Sequence, residues 1–392
     1  MTQEYKLLID ALAIAVAGQN RALHTDVDWP AFLQLCDSHK LTALVCDGIQ
    51  KTPGAWEQIP EQYGQYLNRA YMQAIFRDAQ MEHTQQILAQ GLTQANIAHV
   101  FLKGIVLKHA YPMPALRTMS DMDLLVYAKD FEIIDQVAQT LGAKPLDGDG
   151  NHRNYLFPGK VAVEFHPNLL HHATPIGTDI NPGWQYARNT AGGSWELTEE
   201  GFYLNTLCHM AHHFAHGGVG VRFVLDIWVN RHLRKPEADW VFVETELKRF
   251  GLSDFANKIQ GLSECWFGTA KGDELMEELG EYILTSGSHG REDRAILNTV
   301  SLSPGGNRRS ALWRKVFYPR AELEDRFPWC RGKTWLLPAA WCTRAFKALK
   351  THGKQIRQWS KGSGQVSDQA AAEQKEKLQR FGIHNKSKEE KP

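Results

Sequence analysis

The sequence predicts an α+β fold in which a small mixed sheet is embedded in helical N- and C-terminal regions. Residues 1–95 repeat apolar side chains at helical spacing, whereas residues 96–170 contain short apolar runs separated by glycine and proline. Helical spacing returns after residue 198. We therefore expect one sheet with helices before and after it in the chain.

Composition narrows the class of protein. Among 392 residues, 44 lysines and arginines balance 44 aspartates and glutamates, so no chain-wide charge favours nucleic-acid binding. The N-terminus does not resemble a signal peptide, and no apolar window is long enough for a membrane helix. Six cysteines without paired spacing are typical of a reducing compartment and argue against a thiolate zinc site. We expect a cytoplasmic protein.

The N-terminal region carries helix signals. Residues 4–17 have helical apolar spacing, and Asp28 with Pro30 is a typical helix start. Residues 60–95 predict one long helix or two. We expect this region to be a scaffold that packs against the sheet.

The predicted sheet begins with an apolar run that stops at a glycine. We expect a strand at 98–103, a short helix at 104–110, a proline-broken loop at 111–119 and a second strand at 122–127. A helix at 131–141 follows, because Ile133, Ile134, Val137, Ala138 and Leu141 have helical spacing. Residues 155–157 and 161–165 predict a hairpin around Pro158-Gly159.

Three acidic residues lie on the predicted strands. Asp121 and Asp123 flank Met122, and alternate residues of a strand share a face. Two such carboxylates repel each other unless a cation lies between them, and oxygen ligands suit Mg²⁺ or Mn²⁺. Glu164 is a third acid amid apolar neighbours. Together they could hold two divalent ions for attack on a phosphorus atom, although the aspartates could also simply form a turn after Ser120.

These residues carry a resemblance to a known superfamily. The segments concerned are Lys103-Gly104, Arg117, Ser120-Asp-Met-Asp-Leu-Leu-Val126 and Val163-Glu-Phe-His166. They resemble the nucleotidyltransferase superfamily, and within it the bacterial branch of nucleotidyltransferase family proteins, most closely over residues 80–170. Lys-Gly stands where the superfamily usually has Gly-Gly or Gly-Ser. The Lys-Gly form also resembles abortive-infection toxins of the same fold.

The resemblance implies an enzyme that transfers a nucleoside monophosphate from ATP or another triphosphate to an acceptor, with Mg²⁺ or Mn²⁺ as cofactor. It implies catalytic and metal-binding roles for Asp121, Asp123 and Glu164, and nucleotide-binding roles for Lys103, Gly104, Arg117 and Ser120. A toxin that modifies RNA or protein, or a non-catalytic nucleotide-binding or scaffold protein, remains an alternative. Neither the nucleotide base nor the acceptor can be read from the sequence.

The binding candidates have structural alternatives. Lys103 could neutralise a triphosphate, pair with a site carboxylate, or be an exposed strand-end lysine. Gly104 opens a helix, where backbone N–H groups favour phosphate. Arg117 could clamp phosphates or form a surface salt bridge. We expect Ser120 to shape the turn.

Histidines cluster in the second helical region. The predicted helix contains His209, His212, His213 and His216, several of which share a face. Zinc binding is conceivable, but lining of the nucleotide cleft or packing in a core is favoured. The pattern of His209 and His213 followed by Asp226 resembles one in the helical half of the family. We therefore place His166, His209, His213 and Asp226 as candidates at the cleft, where Asp226 fixes a histidine, caps a helix or forms an ion pair.

The chain divides into five predicted regions. They are an N-terminal helical region (1–95), the α/β core (96–170), a helical domain (171–285), a Trp/Arg-rich extension (286–359) and a disordered tail (360–392). Within them, residues 167–198 and 286–309 read as irregular connections. The basic amphipathic segment Trp335–Trp341 could contact a membrane surface, although packing on the helical domain is favoured.

Overall fold

The structure, a computed structural model, describes residues 1–146, 152–170, 180–191, 194–234, 237–288, 290–318 and 320–384. The fold contains a seven-stranded mixed sheet, and helices precede and follow the strands along the chain. The predicted α+β class with helical flanks is therefore confirmed.

Four helices form the N-terminal region: α1 (Gln3–Ala17), α2 (Trp29–His39), α3 (Thr42–Gln50) and α4 (Glu61–Gln94). Asp28 caps α2 as expected, because its carboxylate accepts a hydrogen bond from the Ala31 N–H at 3.1 Å. Helix α3 approaches α1 closely at Gly48, where a side chain would collide with the Ala11 carbonyl. Residues 61–94 form one helix, which settles the choice between one and two.

The sheet contains β1 (His99–Phe101), β2 (Asp121–Val126), β3 (Lys144–Leu146), β4 (Arg153–Phe157), β5 (Val161–His166), β6 (Ala187–Ala191) and β7 (Ser194–Leu197). The strand order is β3-β4-β5-β2-β1-β7-β6. Strands β2 and β5 are parallel neighbours, as are β1 and β7, and the other pairs are antiparallel. Helices α5 (Gly104–Leu107) and α6 (Phe131–Thr140) connect the first strands.

The structure corrects the expectation that residues 167–198 are irregular, since β6 and β7 extend the sheet there. Strand β6 has the sequence Ala-Arg-Asn-Thr-Ala, which has little of the β-branched and aromatic character typical of strands. Its pairing with β7 also shifts register between Asn189 and Ala191. A short, polar, irregular strand gives almost no sequence signal.

The remaining helices are α7 (Glu199–His216), α8 (Val221–Val229), α9 (Trp240–Phe250), α10 (Ser253–Phe267), α11 (Glu274–Leu284), α12 (Glu292–Ser301), α13 (Arg308–Val316), α14 (Arg320–Arg326), α15 (Leu337–Gly364) and α16 (Asp368–Arg380). Helix α12 falls within 286–309, so the prediction of a loop there was wrong. The prediction of a disordered tail was wrong up to residue 384, and residues 385–392 lie outside the described residues. Phe381 and Ile383 are fully buried, so a few well-spaced apolar residues anchor this polar segment.

Two large clusters of buried side chains cover the two faces of the sheet. One joins α1–α3, one sheet face and α7–α11, and it also includes Leu378, Phe381 and Ile383. The other packs α4 and α6 against the opposite face. The N-terminal helices and the later helices thus share one core. The acidic residues lie on β2 and β5, two adjacent interior strands of the sheet.

Candidate functional site

The acidic residues lie on two adjacent parallel strands. Asp123 of β2 pairs with Glu164 of β5, and Leu125 pairs with His166. Paired residues of neighbouring strands project to the same face, and so do alternate residues of one strand. Asp121, Asp123, Glu164 and His166 therefore share one face of the sheet.

Asp123 lies at the centre of this group. Its Oδ1 lies 2.9 Å from Lys103 Nζ and 3.0 Å from His166 Nε2, and His166 Nε2 also lies 3.3 Å from Glu164 Oε2. Ligand atoms of Asp123, Glu164 and His166 fall within 4.8 Å of one another, the spacing of a possible metal site. The structure thus brings two of the three predicted acids together and adds His166 as a potential ligand.

The charges of this group shift its pKa values in opposite directions. Burial alone would raise the pKa of Asp123, but the Lys103 charge and the His166 hydrogen bond outweigh it, so that pKa lies well below its ordinary value. The hydrogen bond from His166 likewise lowers the pKa of Glu164. Burial lowers the pKa of His166, but hydrogen bonds to Asp123 and Glu164 outweigh burial and raise it. Asp123 and Glu164 therefore carry negative charge at neutral pH.

Asp121 stands apart from these ion pairs. Its Oδ1 accepts a hydrogen bond from Ser120 Oγ at 3.2 Å, which agrees with the expected turn-shaping role of Ser120. Burial, and then the negative charge of Asp123, raise the pKa of Asp121. Asp121 is thus a carboxylate that a nearby cation would stabilise.

Lys103 has an unusual backbone. Its φ of 52° and ψ of −124° lie in a backbone region that residues other than glycine rarely adopt. This conformation forms the turn between β1 and α5, from which the ammonium group reaches Asp123. Lys103 is therefore not a free strand-end lysine, since it pairs with a site carboxylate. Strain of this kind is concentrated at functional sites.

Arg117 occupies the space beside Gly104. A Cβ on Gly104 would lie 2.2 Å from Arg117 Nη1, so the absence of a side chain admits the guanidinium. Arg117 donates from Nε to Asp226 Oδ1 at 3.1 Å and from Nη2 to Asp226 Oδ2 at 2.6 Å. Both side chains are buried, which excludes the surface salt bridge considered for Arg117.

Within the described residues, the side-chain partners of Asp226 are an arginine and a tyrosine, not a histidine. Besides Arg117, it accepts a hydrogen bond from Tyr111 Oη at 2.6 Å. Of the roles considered for it, the ion pair is the observed one. Sequence reasoning missed Tyr111 and also Arg222, whose Nη1 donates to the Thr118 carbonyl at 2.9 Å just before the acidic strand. No local pattern marked either residue, because their partners are distant in the sequence.

Two of the four helix-α7 histidines contact each other near the acidic group. His209 Nε2 lies 3.1 Å from His213 Nε2. Burial, and then the positive charge of Lys103, hold the pKa of His209 well below its usual range, so its ring is neutral. His216 instead makes a local contact with the His212 carbonyl. In the described part of the chain, none of these four histidines belongs to a group of three potential metal ligands.

Comparison with known proteins supplies the family. No curated protein and no solved structure matches this chain. A family model described as "Uncharacterised nucleotidyltransferase" matches residues 25–268, which is more than half of the 392 residues and includes every candidate site residue. The chain belongs to this uncharacterised nucleotidyltransferase family.

Proposed function

We propose that this protein transfers a nucleoside monophosphate from a nucleoside triphosphate to an acceptor hydroxyl in a reaction that depends on a divalent cation. The observation that carries the proposal is the shared face of Asp121, Asp123 and Glu164 on two parallel strands. Family membership supports nucleotidyl transfer in general. The triphosphate class, ATP included, and the acceptor are left open, and free thiols at all six cysteines favour the cytoplasm as its location.

The donor set fits Mg²⁺ or Mn²⁺. Asp121, Asp123 and Glu164 supply carboxylate oxygens, the ligands that these hard cations prefer. The two largest influences on the pKa of Asp121 are burial and the negative charge of Asp123, and both raise it. A bound cation would offset both effects. These three residues would hold the cation, with His166 close enough to ligate or to orient Glu164. When bound, the cation neutralises phosphate charge and activates the attacking oxygen.

Lys103 is proposed to change partners during binding. It neutralises Asp123 in this structure, and its ammonium is partly exposed. A divalent cation on Asp123 makes that pairing redundant, so the ammonium becomes available to the triphosphate. A charge-assisted contact of this kind holds the phosphates in place.

Arg117 and Gly104 are proposed to act by positioning. The guanidinium is bound by Asp226 and lies against Gly104, so it fixes the turn that presents Lys103. The backbone of Gly104 and the turn at Ser120 complete the proposed nucleotide site. The contacting pair His209 and His213 is proposed to line the same cleft, on the side where the acceptor would bind.

The test measures pyrophosphate release and label transfer from ATP, GTP, CTP and UTP with Mg²⁺, with Mn²⁺ and with chelator. Acceptors are small molecules, RNA and protein fractions. Asp123→Asn should abolish transfer, while the control Asp293→Asn, at an exposed surface ion pair, should leave it intact. Transfer that survives in Asp123→Asn, or no transfer from any triphosphate, would overturn the proposal.

A second candidate, a nucleotide-binding protein that needs no metal, is favoured by one observation. Lys103 and His166 already neutralise Asp123. Calorimetry separates the two functions: triphosphate affinity that is unchanged by Mg²⁺ or chelator supports binding alone, and affinity that requires the cation supports the enzyme.

A further inference from the structure

The longest helix of the C-terminal region carries an apolar row on its solvent side. The row consists of Trp335 in the turn before α15, then Ala339, Cys342, Phe346, Leu349, Gly353 and Ile356. Successive members are four and three residues apart, so they line one face of a helix. Three of them are among the most exposed large apolar side chains: Trp335 at 77%, Phe346 at 71% and Leu349 at 62%.

The opposite side of α15 is held by the protein. Leu337 and Ala340 are buried in a cluster with side chains of α14 and the following turn. Near the other end, Gly362 packs against Ile296, and Arg308 Nη2 donates to the Ser360 carbonyl at 3.1 Å. The helix is therefore anchored on one side, and the apolar row faces outward from it. At Gly353 an added Cβ would meet no atom within 4 Å, which agrees with an open face.

A row of cations runs beside the apolar row. Its members are Lys347, Lys350, Lys354, Arg357 and Lys361, all exposed. Their spacing of three and four residues matches that of the apolar row, and four of them follow an apolar member by one position, a rotation of about 100°. Apolar and positive side chains thus form two adjacent parallel stripes.

The segment that contains α15 is strongly basic. Residues 326–367 contain nine lysines or arginines and no aspartate or glutamate, although the whole chain is neutral. A helix with Trp, Phe and Leu on one stripe and Lys and Arg on the next is typical of segments that lie in the surface of an anionic bilayer. Within the described residues no helix is long and apolar enough to cross a membrane.

We propose that α15 docks this protein on an anionic lipid surface, with the row from Trp335 to Ile356 inserted among the lipids and the cations on their headgroups. The row lies outside residues 25–268, so this surface is additional to the nucleotidyltransferase segment. Docking would hold the transferase reaction near a membrane.

Two other occupants fit the stripes less well. A second copy of α15 would match the apolar spacing, but it would bring two rows of cations together without any acid to pair them. A nucleic acid would meet the cations and could stack on Trp335 and Phe346, but it would leave Leu349 and Ile356 of the same row without an apolar partner. Anionic lipid is the partner whose chemistry matches both stripes.

Flotation of the purified full chain with vesicles tests the proposal. Vesicles of phosphatidylcholine are compared with vesicles that also contain phosphatidylserine, at low and high salt. We expect binding to the anionic vesicles and much weaker binding to the neutral ones. Because each cation near an anionic surface contributes roughly fivefold, Lys350→Glu with Lys354→Glu should weaken binding by at least about thirtyfold.

Apolar variants test the second stripe. Phe346→Ser with Leu349→Ser should weaken binding at least about tenfold, because each side chain loses its transfer into lipid. Matched controls are Phe76→Ser, an exposed phenylalanine on α4, and Lys248→Glu, an exposed lysine on α9, which should bind as the parent does. Thermal unfolding checks that each variant is folded, and Trp335→Ser provides an independent apolar variant.

Several outcomes overturn the proposal. They are absence of binding to anionic vesicles, binding that ignores lipid charge, and loss of binding in the control variants as well. Binding of duplex RNA or DNA without vesicle binding would identify a nucleic-acid surface instead. A dimer in light scattering that Phe346→Ser with Leu349→Ser converts to monomer, without vesicle binding, would identify a second copy as the occupant.

Discussion

Replacing Asp226 by asparagine should destabilise the protein strongly. Arg117 and Asp226 expose only 8% and 6% of their side chains, and two hydrogen bonds join them. Asparagine keeps the shape but removes the charge, so it leaves a buried guanidinium without its counterion. Breaking a buried pair in this way costs about 3–5 kcal/mol.

The double replacement Arg117→Met with Asp226→Leu separates charge from packing. If the unpaired charge causes the loss, removing both charged groups should restore part of the stability. Tyr111→Phe removes only one hydrogen bond to Asp226 and should cost about 1 kcal/mol. The free energy of unfolding is measured in urea by tryptophan fluorescence.

A surface pair provides the matched control. Arg188 and Glu196 are half exposed, and Glu196→Gln should change the free energy of unfolding by less than about 1 kcal/mol. A loss for Asp226→Asn no larger than that of Glu196→Gln would refute the reasoning. Because Arg117 lies against Gly104, the folded Asp226→Asn protein should also bind triphosphate more weakly.

Three further predictions concern the site and its pH response. The free energy of unfolding of Lys103→Gly should be about 1–3 kcal/mol larger than that of Lys103→Ala, because glycine tolerates this backbone conformation without strain, and equal values would contradict the strain. In calorimetry both variants should bind triphosphate roughly tenfold to a hundredfold more weakly than the parent, and parental affinity would contradict the phosphate contact. Asp123→Asn should abolish Mg²⁺-dependent triphosphate binding in calorimetry, and Mg²⁺-dependent binding that persists would argue against a metal role. Without Mg²⁺, the same variant should unfold at a lower urea concentration, because it loses the ion pair between Asp123 and Lys103. Burial lowers the pKa of His39 from 6.5 to about 4, so between these values the unfolded chain takes up a proton that the folded chain does not, and stability should fall by about 3 kcal/mol as pH falls through this range. Urea unfolding of His39→Gln should show a flatter pH profile, and an unchanged profile would exclude His39 as the cause.

The sequence was sufficient for the elements whose signals are local. Alternation placed Asp121 and Asp123 on one face of a strand, and Asp28 with Pro30 marked a helix start. The two strands that carry the acids were also recognised. These features depend on periodicity and on capping, which act within a few residues.

The contacts that organise the site could not be read in this way. Arg117 and Asp226 are 109 residues apart, and only the folded chain brings them together. The sequence left the pairing of Lys103 with a site carboxylate as one of three alternatives, because the pairing depends on a positive φ at a residue type that rarely adopts it. The polar segment after residue 360 folds because a few apolar side chains find a large existing core, which composition alone does not reveal.

The shared core has a consequence for how this family should be delimited. Helix α1 precedes the matched segment, and Phe381 follows it by more than a hundred residues, yet both pack into the cluster that contains Phe214 and Phe255. A fragment limited to residues 25–268 would lack Phe381 and helix α1, and would therefore expose the side chains of Phe214 and Phe255 that pack in this cluster. The matched segment is therefore a recognisable sequence unit but not an independently folding domain. A fusion with other domains would have to include the helices that flank the segment.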